Sequence, residues 1–153
     1  SAGEQQVILN GKNVNDFIRT ETVSEMSRKI SAIPEVREKL LSLQRSLAAA
    51  ENVIMDGRDI GTHVLPNADV KIFLTADAHV RAVRRYEEFI AKGVSCTLEN
   101  VEREVIERDE RDMNRAIAPL KQAEDAVRVD TSAMTIEEVV CYLKNLIGQA
   151  VAR

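Results

Sequence analysis

Short apolar runs alternate with amphipathic stretches along this chain, and the alternation predicts strands interleaved with helices. Residues 7–9 are apolar and run into Asn10-Gly11, a pair typical of a tight turn between strands. Short continuous apolar runs of the kind found in buried parallel strands follow at residues 52–55, 70–74 and 126–129. We therefore expect each of these runs to be a strand.

Helical periodicity fills the intervals between these runs. Residues 14–31 show a broken helical pattern with Thr20 or Thr22 as the N-terminal cap, and Pro34 opens a clearer helix with a broad apolar side. Three more helices are predicted, at residues 78–92, 98–115 and 135–148. The alternation of strands and helices after residue 50 indicates an α/β layer fold with a parallel sheet.

Composition and charge narrow the class of protein. A chain of 153 residues, 44% of them hydrophobic, is long enough for one domain or slightly more. A net charge of −4, with three Phe, two Tyr and no Trp, argues against a nucleic-acid partner. No apolar run approaches the roughly 20 residues of a membrane helix, and we expect a cytoplasmic protein. The two cysteines and two histidines lack ligand spacing, so we expect no metal site built from protein side chains.

Arginine is concentrated in residues 108–115, which read Arg-Asp-Glu-Arg-Asp-Met-Asn-Arg. The rigid, permanently charged fork of arginine suits phosphate groups. In one continuous helix, Arg108, Arg111 and Arg115 would share a face and form a cationic stripe. The alternative is a solvated helix with ion pairs four residues apart, such as Glu107 with Arg111 and Arg108 with Asp112.

A second candidate site, Asp56-Gly57-Arg58-Asp59, follows the predicted strand at 52–55. Parallel α/β sheets bind ligands beyond the carboxyl ends of their strands. There Arg58 can hold a phosphate, and Asp59 can accept hydrogen bonds from a base amine or a sugar hydroxyl. The alternative is a glycine-containing turn with a charged tip.

Arginines on two other helices have the same ambiguity. Arg37 lies on the helix that Pro34 opens, whose polar face would tolerate an exposed arginine. Arg81, Arg84 and Arg85 are spaced so that they could face phosphate or solvent, and we expect solvent for at least one of them.

Taken in order, these segments resemble the cytidylate kinase family, whose members move a phosphoryl group from ATP to CMP or dCMP. The resemblance covers almost the whole chain. It runs through Val7-Ile8-Leu9-Asn10-Gly11, Ile18-Arg19-Thr20, Ile33-Pro34-Glu35-Val36-Arg37-Glu38, Asp56-Gly57-Arg58-Asp59-Ile60-Gly61-Thr62, Lys71-Ile72-Phe73-Leu74-Thr75-Ala76, and the arginine-rich segment extended through Ala116-Ile117-Ala118-Pro119-Leu120. Several ordered motifs of this length seldom match by chance.

The resemblance implies the fold of a P-loop nucleoside monophosphate kinase. This is a three-layer α/β structure around a parallel sheet, incomplete in this chain, with a small NMP-binding insertion and a helical lid. Residues 1–46 would form part of the insertion. Residues 47–153 would form the remainder of the core domain, with the lid at about 105–119.

The resemblance also implies roles for individual residues. Arg58, Arg108 and Arg115 match arginines that act on the phosphates and are the expected catalytic residues. Arg37 and Asp59 match residues that contact the nucleoside end of CMP, and Asp112 matches one that contacts the pentose. Arg111 belongs to the lid without an assigned role. Mg²⁺ would arrive with ATP, held by phosphate oxygens and water.

Two features depart from the family pattern. The sequence contains no G-x-x-x-x-G-K-[ST], the loop that cradles phosphates in these kinases. The resemblance therefore implies a missing N-terminal segment, lost by truncation or proteolysis or supplied by another chain, and an isolated chain that is inactive. Nine positions before Arg37, where the family has a small hydroxyl residue near the base, stands Arg28, with Ser27 adjacent. Either a one-residue shift restores the hydroxyl or the contact with cytosine is altered.

Two other functions stay open at the level of sequence. One is a nucleotide-binding module that has kept the fold and lost catalysis. The other is a kinase that acts on UMP or AMP.

Overall fold

The structure is a computed structural model that describes residues 6–18 and 20–151, without the side chains of Glu21, Ser24, Arg28 and Val151. The chain divides into two compact units, Ser1–Val53 and Ile54–Arg153. The expected assignment of residues 1–46 to an NMP-binding insertion, and of the rest to a core domain, stays a prediction.

The first unit opens with a two-stranded antiparallel hairpin. Strands β1 (Ile8–Leu9) and β2 (Lys12–Asn13) are joined through Asn10 and Gly11, whose φ angles are 50° and 78°. Positive φ at both central positions is the geometry of the tight hairpin turn that an Asn-Gly pair favours. The predicted strand and turn are confirmed.

Two helices complete the first unit. Helix α1 (Glu21–Ser31) begins at Thr20, whose hydroxyl accepts a hydrogen bond from the backbone N–H of Val23 at 3.3 Å. The helical pattern predicted from residue 14 is therefore wrong over residues 14–18, which form a turn. Helix α2 (Pro34–Ala50) begins at the predicted proline, because Pro has no N–H to lose in a first helical turn.

The second unit has α/β architecture. Its elements are a single π-helical turn (Ile60–Val64), strand β3 (Ile72–Thr75), helices α3 (Ala78–Ala91) and α4 (Leu98–Asn114), strand β4 (Val127–Asp130) and helix α5 (Ile136–Val151). Strands β3 and β4 are parallel, with Ile72 opposite Val127 and Thr75 opposite Asp130. Two of the predicted strands and their parallel arrangement are confirmed.

The strand predicted at residues 52–55 is wrong. Among the described residues, no strand pairs with this run, and Ile54 is 93% exposed. An apolar run indicates side chains suited to burial, but a strand also needs backbone partners on a neighbouring strand. The segment that follows, Asp56 to Asp59, therefore does not lie at the end of a strand as expected.

The core of the second unit lies between α3 and α4. Ala82 of α3 and Val101 and Val105 of α4 are buried together, and Tyr86 and Phe89 pack against them. The small side chain of Ala82 leaves room for the two valines of α4, and the two rings add apolar contact to the same cluster. This packing fixes the helix that carries the arginine-rich segment.

Side-chain caps fix where three helices begin. The Asp77 carboxylate accepts hydrogen bonds from the first turn of α3, and the Thr97 hydroxyl accepts one from Asn100 N in α4. Before α5, Glu138 accepts from Thr135 N at 2.8 Å while Thr135 accepts from Glu138 N at 3.2 Å. This reciprocal pair is the capping box that the sequence predicted.

Within residues 6–18 and 20–151, no helix is long and apolar enough to cross a membrane.

Removing two methyl groups from Val101 should destabilise the protein. Val101 is 2% exposed, so Val101→Ala leaves a cavity between α3 and α4 and should lower the free energy of unfolding by about 2 kcal/mol. Urea denaturation measures the change. Val94→Ala is the matched control, since Val94 is 46% exposed and should lose less than about 0.5 kcal/mol. Equal losses in the two variants would contradict the position of the core.

Candidate phosphate-binding site

The segment from Asp56 to Asp59 leads into the π-helical turn. Backbone N–H groups of His63 and Val64 both donate to the carbonyl of Asp59, at 2.8 and 3.1 Å. A glycine is needed at position 57, just before this turn, because a Cβ there would lie 2.8 Å from Cγ1 of Ile60. Single π-helical turns are uncommon and occur often at functional sites. Here the turn fixes the backbone on which Arg58 and Asp59 stand.

Helix α4 ends before the last arginine of the segment. Arg115 follows Asn114 with extended backbone angles, φ −65° and ψ 141°. The predicted continuous stripe of Arg108, Arg111 and Arg115 is therefore wrong. Pro119 disfavours helical geometry in the residue before it, and that residue, Ala118, has a φ of 49°.

The chain folds back after this end. The N–H of Leu120 donates to the carbonyl of Asp112 at 2.8 Å, and Nε of Arg115 donates to the carbonyl of Ala118 at 2.5 Å. These bonds close a compact turn over residues 115–120. The turn separates the direction of Arg115 from that of the helical arginines.

The carboxylate of Asp112 joins two arginines from different parts of the chain. Its Oδ2 accepts from Nε of Arg58 at 2.7 Å, across 54 residues of sequence, and lies 3.9 Å from Nε of Arg108. Because Arg58 and Arg108 share a single carboxylate, the group of three side chains keeps a net positive charge. The segment 56–59 and helix α4 are thereby brought to one place, as expected for residues of a common site.

Arg115 approaches Asp59 on the same side of the unit. Its Nη2 lies 3.5 Å from Oδ1 of Asp59, within ion-pair distance, yet this buried nitrogen has no hydrogen-bond partner among the described residues. The contact is therefore electrostatic and leaves a donor unused. We call Arg58, Asp59, Arg108, Asp112 and Arg115 the arginine cluster.

The electrostatics of the cluster favour an anion. Partial burial, reinforced by the positive charge of Arg58, lowers the pKa of Arg108 below its ordinary value, and Asp112 opposes that change. Arg108 stays cationic near neutral pH, because an arginine in a protein is effectively always protonated. A cation disfavoured by its neighbours gains most from a bound anion.

The alternative of a helix held by ion pairs four residues apart is only weakly supported. Arg108 and Asp112 form such a pair at the long distance of 3.9 Å. Arg111 instead donates from Nε to the backbone carbonyl of Glu107 at 3.1 Å. Arg111 is exposed and makes no ion pair with the cluster among the residues that the structure describes.

Two of the arginines of α3 tie the unit together, which the sequence did not reveal. Arg81 donates to both carboxylate oxygens of Asp109, at 3.1 and 2.5 Å, and so fastens α3 to α4. Arg84 donates to the carbonyls of Thr131 and Met134, beyond the end of β4. Arg84 is classed as exposed, in line with the expectation that one of these arginines faces solvent. Even so, its guanidinium is used within the protein.

The remaining predicted residues lie in the first unit. Arg37 donates to the carbonyl of Ser31 at 3.4 Å, and its participation in a site with the arginine cluster stays a prediction. Ser27 lines an apolar groove between α1 and α2, together with Val23, Met26 and Leu40. The side chain of Arg28 lies outside the described part of the chain, so the two explanations of this position both stay open.

No group of three or more His, Cys, Asp or Glu side chains that could hold a metal ion occurs among the described residues. The carboxylates of Asp59 and Asp112 contact guanidiniums instead.

Neutralising Asp112 should destabilise the protein unless an anion is present. Asp112→Asn leaves Arg58 and Arg108 without their shared counter-charge, and we expect a loss of about 1 kcal/mol. Calorimetric unfolding in phosphate-free buffer measures the loss, and added inorganic phosphate should reduce it. Glu104→Gln removes an exposed charge from the same helix and serves as the control. A stability equal to that of the unsubstituted chain would contradict the sharing of Asp112.

Comparison with known proteins identifies the family. The model of the cytidylate kinase family matches residues 1–149. A cytidylate kinase of Carboxydothermus hydrogenoformans is 54% identical over 145 residues, 95% of this chain. One of Ligilactobacillus salivarius is 51% identical over 146 residues, again 95% of the chain, and one of Chloroherpeton thalassium is 48% identical over 97% of it. The chain spans 65% of the length of each of these relatives. It belongs to the cytidylate kinase family.

Proposed function

We propose that this chain is the part of a cytidylate kinase that binds the phosphates and the nucleoside of the substrate. The whole protein would transfer the γ-phosphoryl group of ATP to CMP or dCMP. The observation that carries the proposal is the arginine cluster. It gathers Arg58, Arg108 and Arg115 from separate segments around two carboxylates. The names of the relatives support the same activity.

The charges of the cluster suit phosphoryl transfer. The reaction needs little covalent help from the protein, but it needs close positioning of the phosphates and neutralisation of the charge spread over their oxygens. Three guanidiniums against two carboxylates leave net positive charge for the substrate.

We propose a division of labour within the cluster. Arg58, Arg108 and Arg115 act on the phosphates, whereas Asp59 accepts from the base and Asp112 from the pentose hydroxyls. Before substrate arrives, the carboxylates pair with the arginines. When the nucleotide binds, phosphate oxygens replace the carboxylates as partners of the guanidiniums. Arg37 would read the base from the first unit, with Ser27 the candidate for the missing hydroxyl.

The backbone around Arg115 suits a segment that closes over the substrate. We propose that residues 105–119 act as the lid and that they close through the turn at their C-terminal end, because Val105 and Asp109 are held against α3. The role of Arg111 in the lid is open. The turn over residues 115–120 is held by few bonds, and Ala118 has a backbone conformation that costs a non-glycine residue about 1 kcal/mol or more. Lid closure would exclude water and complete the set of phosphate contacts.

Mg²⁺ is proposed to enter with ATP. When bound, it would neutralise charge on the phosphate oxygens that carry it. The two carboxylates of the cluster contact arginines. This fits a Mg²⁺ ion that is held by the phosphate oxygens of ATP and not by these side chains.

The 153-residue chain by itself should not phosphorylate CMP. Its sequence lacks G-x-x-x-x-G-K-[ST], the loop whose backbone amides and lysine hold ATP phosphates in such kinases. A coupled assay of ADP release with ATP, Mg²⁺ and CMP should give no turnover. Isothermal titration should nevertheless detect binding of CMP to the chain. The native protein that contains this chain, run in parallel, should turn over CMP faster than UMP or AMP. Ordinary kinase rates from the chain alone would contradict the need for the loop, and preference for AMP would contradict the substrate.

Removing Arg115 should slow the native enzyme far more than it weakens substrate binding. Arg115→Ala loses a phosphate-stabilising guanidinium, and we expect kcat to fall about a thousandfold. Arg103→Ala is the control: Arg103 lies on helix α4, which ends just before Arg115, and it is exposed and donates to Asn100. Steady-state kinetics with CMP varied at saturating ATP separates kcat from KM. Unchanged kcat in Arg115→Ala would exclude Arg115 from the phosphates.

A further inference from the structure

Lys71 is nearly buried, and its ammonium group is fully used within the protein. Only 7% of its side chain is exposed. Its Nζ donates to the two carboxylate oxygens of Asp125, at 2.9 and 2.7 Å, and to the backbone carbonyl of Pro66. An ammonium group has three N–H donors, so these three oxygens use all of them. Lysine is seldom buried to this extent unless it is paired, because a buried charge costs free energy that its contacts must offset.

The partners of Lys71 come from two different segments. Asp125 lies 54 residues further along the chain, shortly before β4. The hydrogen bond from Lys71 lowers the pKa of this carboxyl below its ordinary value, so Asp125 is charged near neutral pH. The backbone of Lys71 also joins β4, since its carbonyl accepts from the N–H of Val127 at 2.9 Å. Pro66, by contrast, lies two residues after the π-helical turn. Lys71 therefore ties that turn to the start of β4.

The stem of Lys71 lies against the π-helical turn itself. Its Cδ is 3.5 Å from the point that a Cβ on Gly61 would occupy, so the glycine presents bare backbone to the lysine. Gly61 follows Asp59 by two residues, and the carbonyl of Asp59 accepts two backbone N–H groups of the turn. Lys71 thus contacts the turn near its beginning, at Gly61, and just beyond its end, at Pro66. These contacts support the backbone on which Asp59 stands.

We propose that Lys71 is a positioning residue that governs base selection. By holding the π-helical turn, it places the carboxylate of Asp59 where that carboxylate accepts a hydrogen bond from the exocyclic amine of cytosine. Such a group must stand within about 0.5 Å of its productive position. Uracil has a carbonyl oxygen in place of the amine, and a carboxylate cannot donate to it. The proposal rests on the proposed function, because the contact of Asp59 with the base is assigned there.

Base selection by the native protein that contains this chain tests the role of Lys71. Lys71→Met keeps an unbranched apolar stem and removes the ammonium group. We expect the ratio of kcat/KM for CMP to kcat/KM for UMP to fall about tenfold or more, because small displacements of a recognition group are costly. Lys92→Met removes an equal charge from an exposed position at the end of α3 and should change the ratio less than about twofold. An unchanged ratio in Lys71→Met, with both rates lowered equally, would overturn the proposal.

A double substitution distinguishes action through Asp59 from a general loosening of the protein. Asp59→Ala removes the carboxylate that Lys71 positions. Adding Lys71→Met to that variant should therefore change the ratio for CMP and UMP less than about threefold. A tenfold fall both with and without the Asp59 carboxylate would overturn the proposed route through Asp59.

Amide hydrogen exchange followed by NMR tests the anchoring without any nucleotide. Lys71→Met should speed exchange of the N–H groups of His63 and Val64, which donate to Asp59, about tenfold or more. Exchange at Val101, in the core between α3 and α4, should stay unchanged. Unchanged exchange at His63 and Val64 would overturn the anchoring, as would an equal increase at Val101, which would report a loss of stability of the whole unit.

The outcomes separate this proposal from the proposed function. Phosphorylation of CMP by the unsubstituted native protein, with unchanged base selection in Lys71→Met, would overturn the role of Lys71 alone. No CMP turnover by the unsubstituted native protein would refute the kinase and, with it, the role of Lys71 in base selection. The exchange rates of His63 and Val64 would then still decide whether Lys71 anchors the turn.

Discussion

The site depends on holding several guanidiniums close together, and like charges do not assemble without a counter-charge. Asp112 supplies it by receiving Arg58 at 2.7 Å while staying within 3.9 Å of Arg108. One carboxylate on α4 therefore fixes a segment that is 54 residues away in sequence. Because the compensation is incomplete, the cluster is assembled and keeps a net positive charge, for which we propose phosphate as the partner. A fully neutralised cluster would be more stable but would have less reason to bind phosphate.

Helix α4 can carry this charge because its other face is firmly packed. Val101 and Val105 are buried against Ala82, and Arg81 binds Asp109 through both carboxylate oxygens. This bidentate pair is the strongest geometry available to an arginine and a carboxylate. It lies next to Arg108 in sequence and uses its charges entirely within the protein. Two neighbouring residues of α4 therefore differ in their partners: Asp109 is bound to Arg81 within the protein, whereas Arg108 belongs to the proposed phosphate site.

Much of the fold could be predicted because its signals are local. Pro34, the Asn10-Gly11 turn and the Thr135 capping box act through bonds within a few residues, and each was placed correctly. The run at 52–55 could not be judged in this way, because a strand exists only if another strand pairs with it. For the site, the sequence singled out Arg58, Arg108 and Arg115, and the structure brings them to the carboxylates of Asp112 and Asp59. Their roles stay predictions. It could not separate Arg81, which is bound to Asp109, from Arg85, whose Nε has no hydrogen-bond partner among the described residues, because their difference lies in contacts with distant parts of the chain.

Arg115 shows how a small backbone feature changes the chemistry of a charged segment. A helix continued through Arg115 would keep it in line with Arg108 and Arg111. The bend before Pro119, with Ala118 at positive φ, instead turns Arg115 toward Asp59. Two guanidiniums from one short segment thereby contact different carboxylates, Arg108 that of Asp112 and Arg115 that of Asp59. Phosphate oxygens lie around a tetrahedral centre, so donors arriving from several directions can contact more of them than a straight row of arginines can.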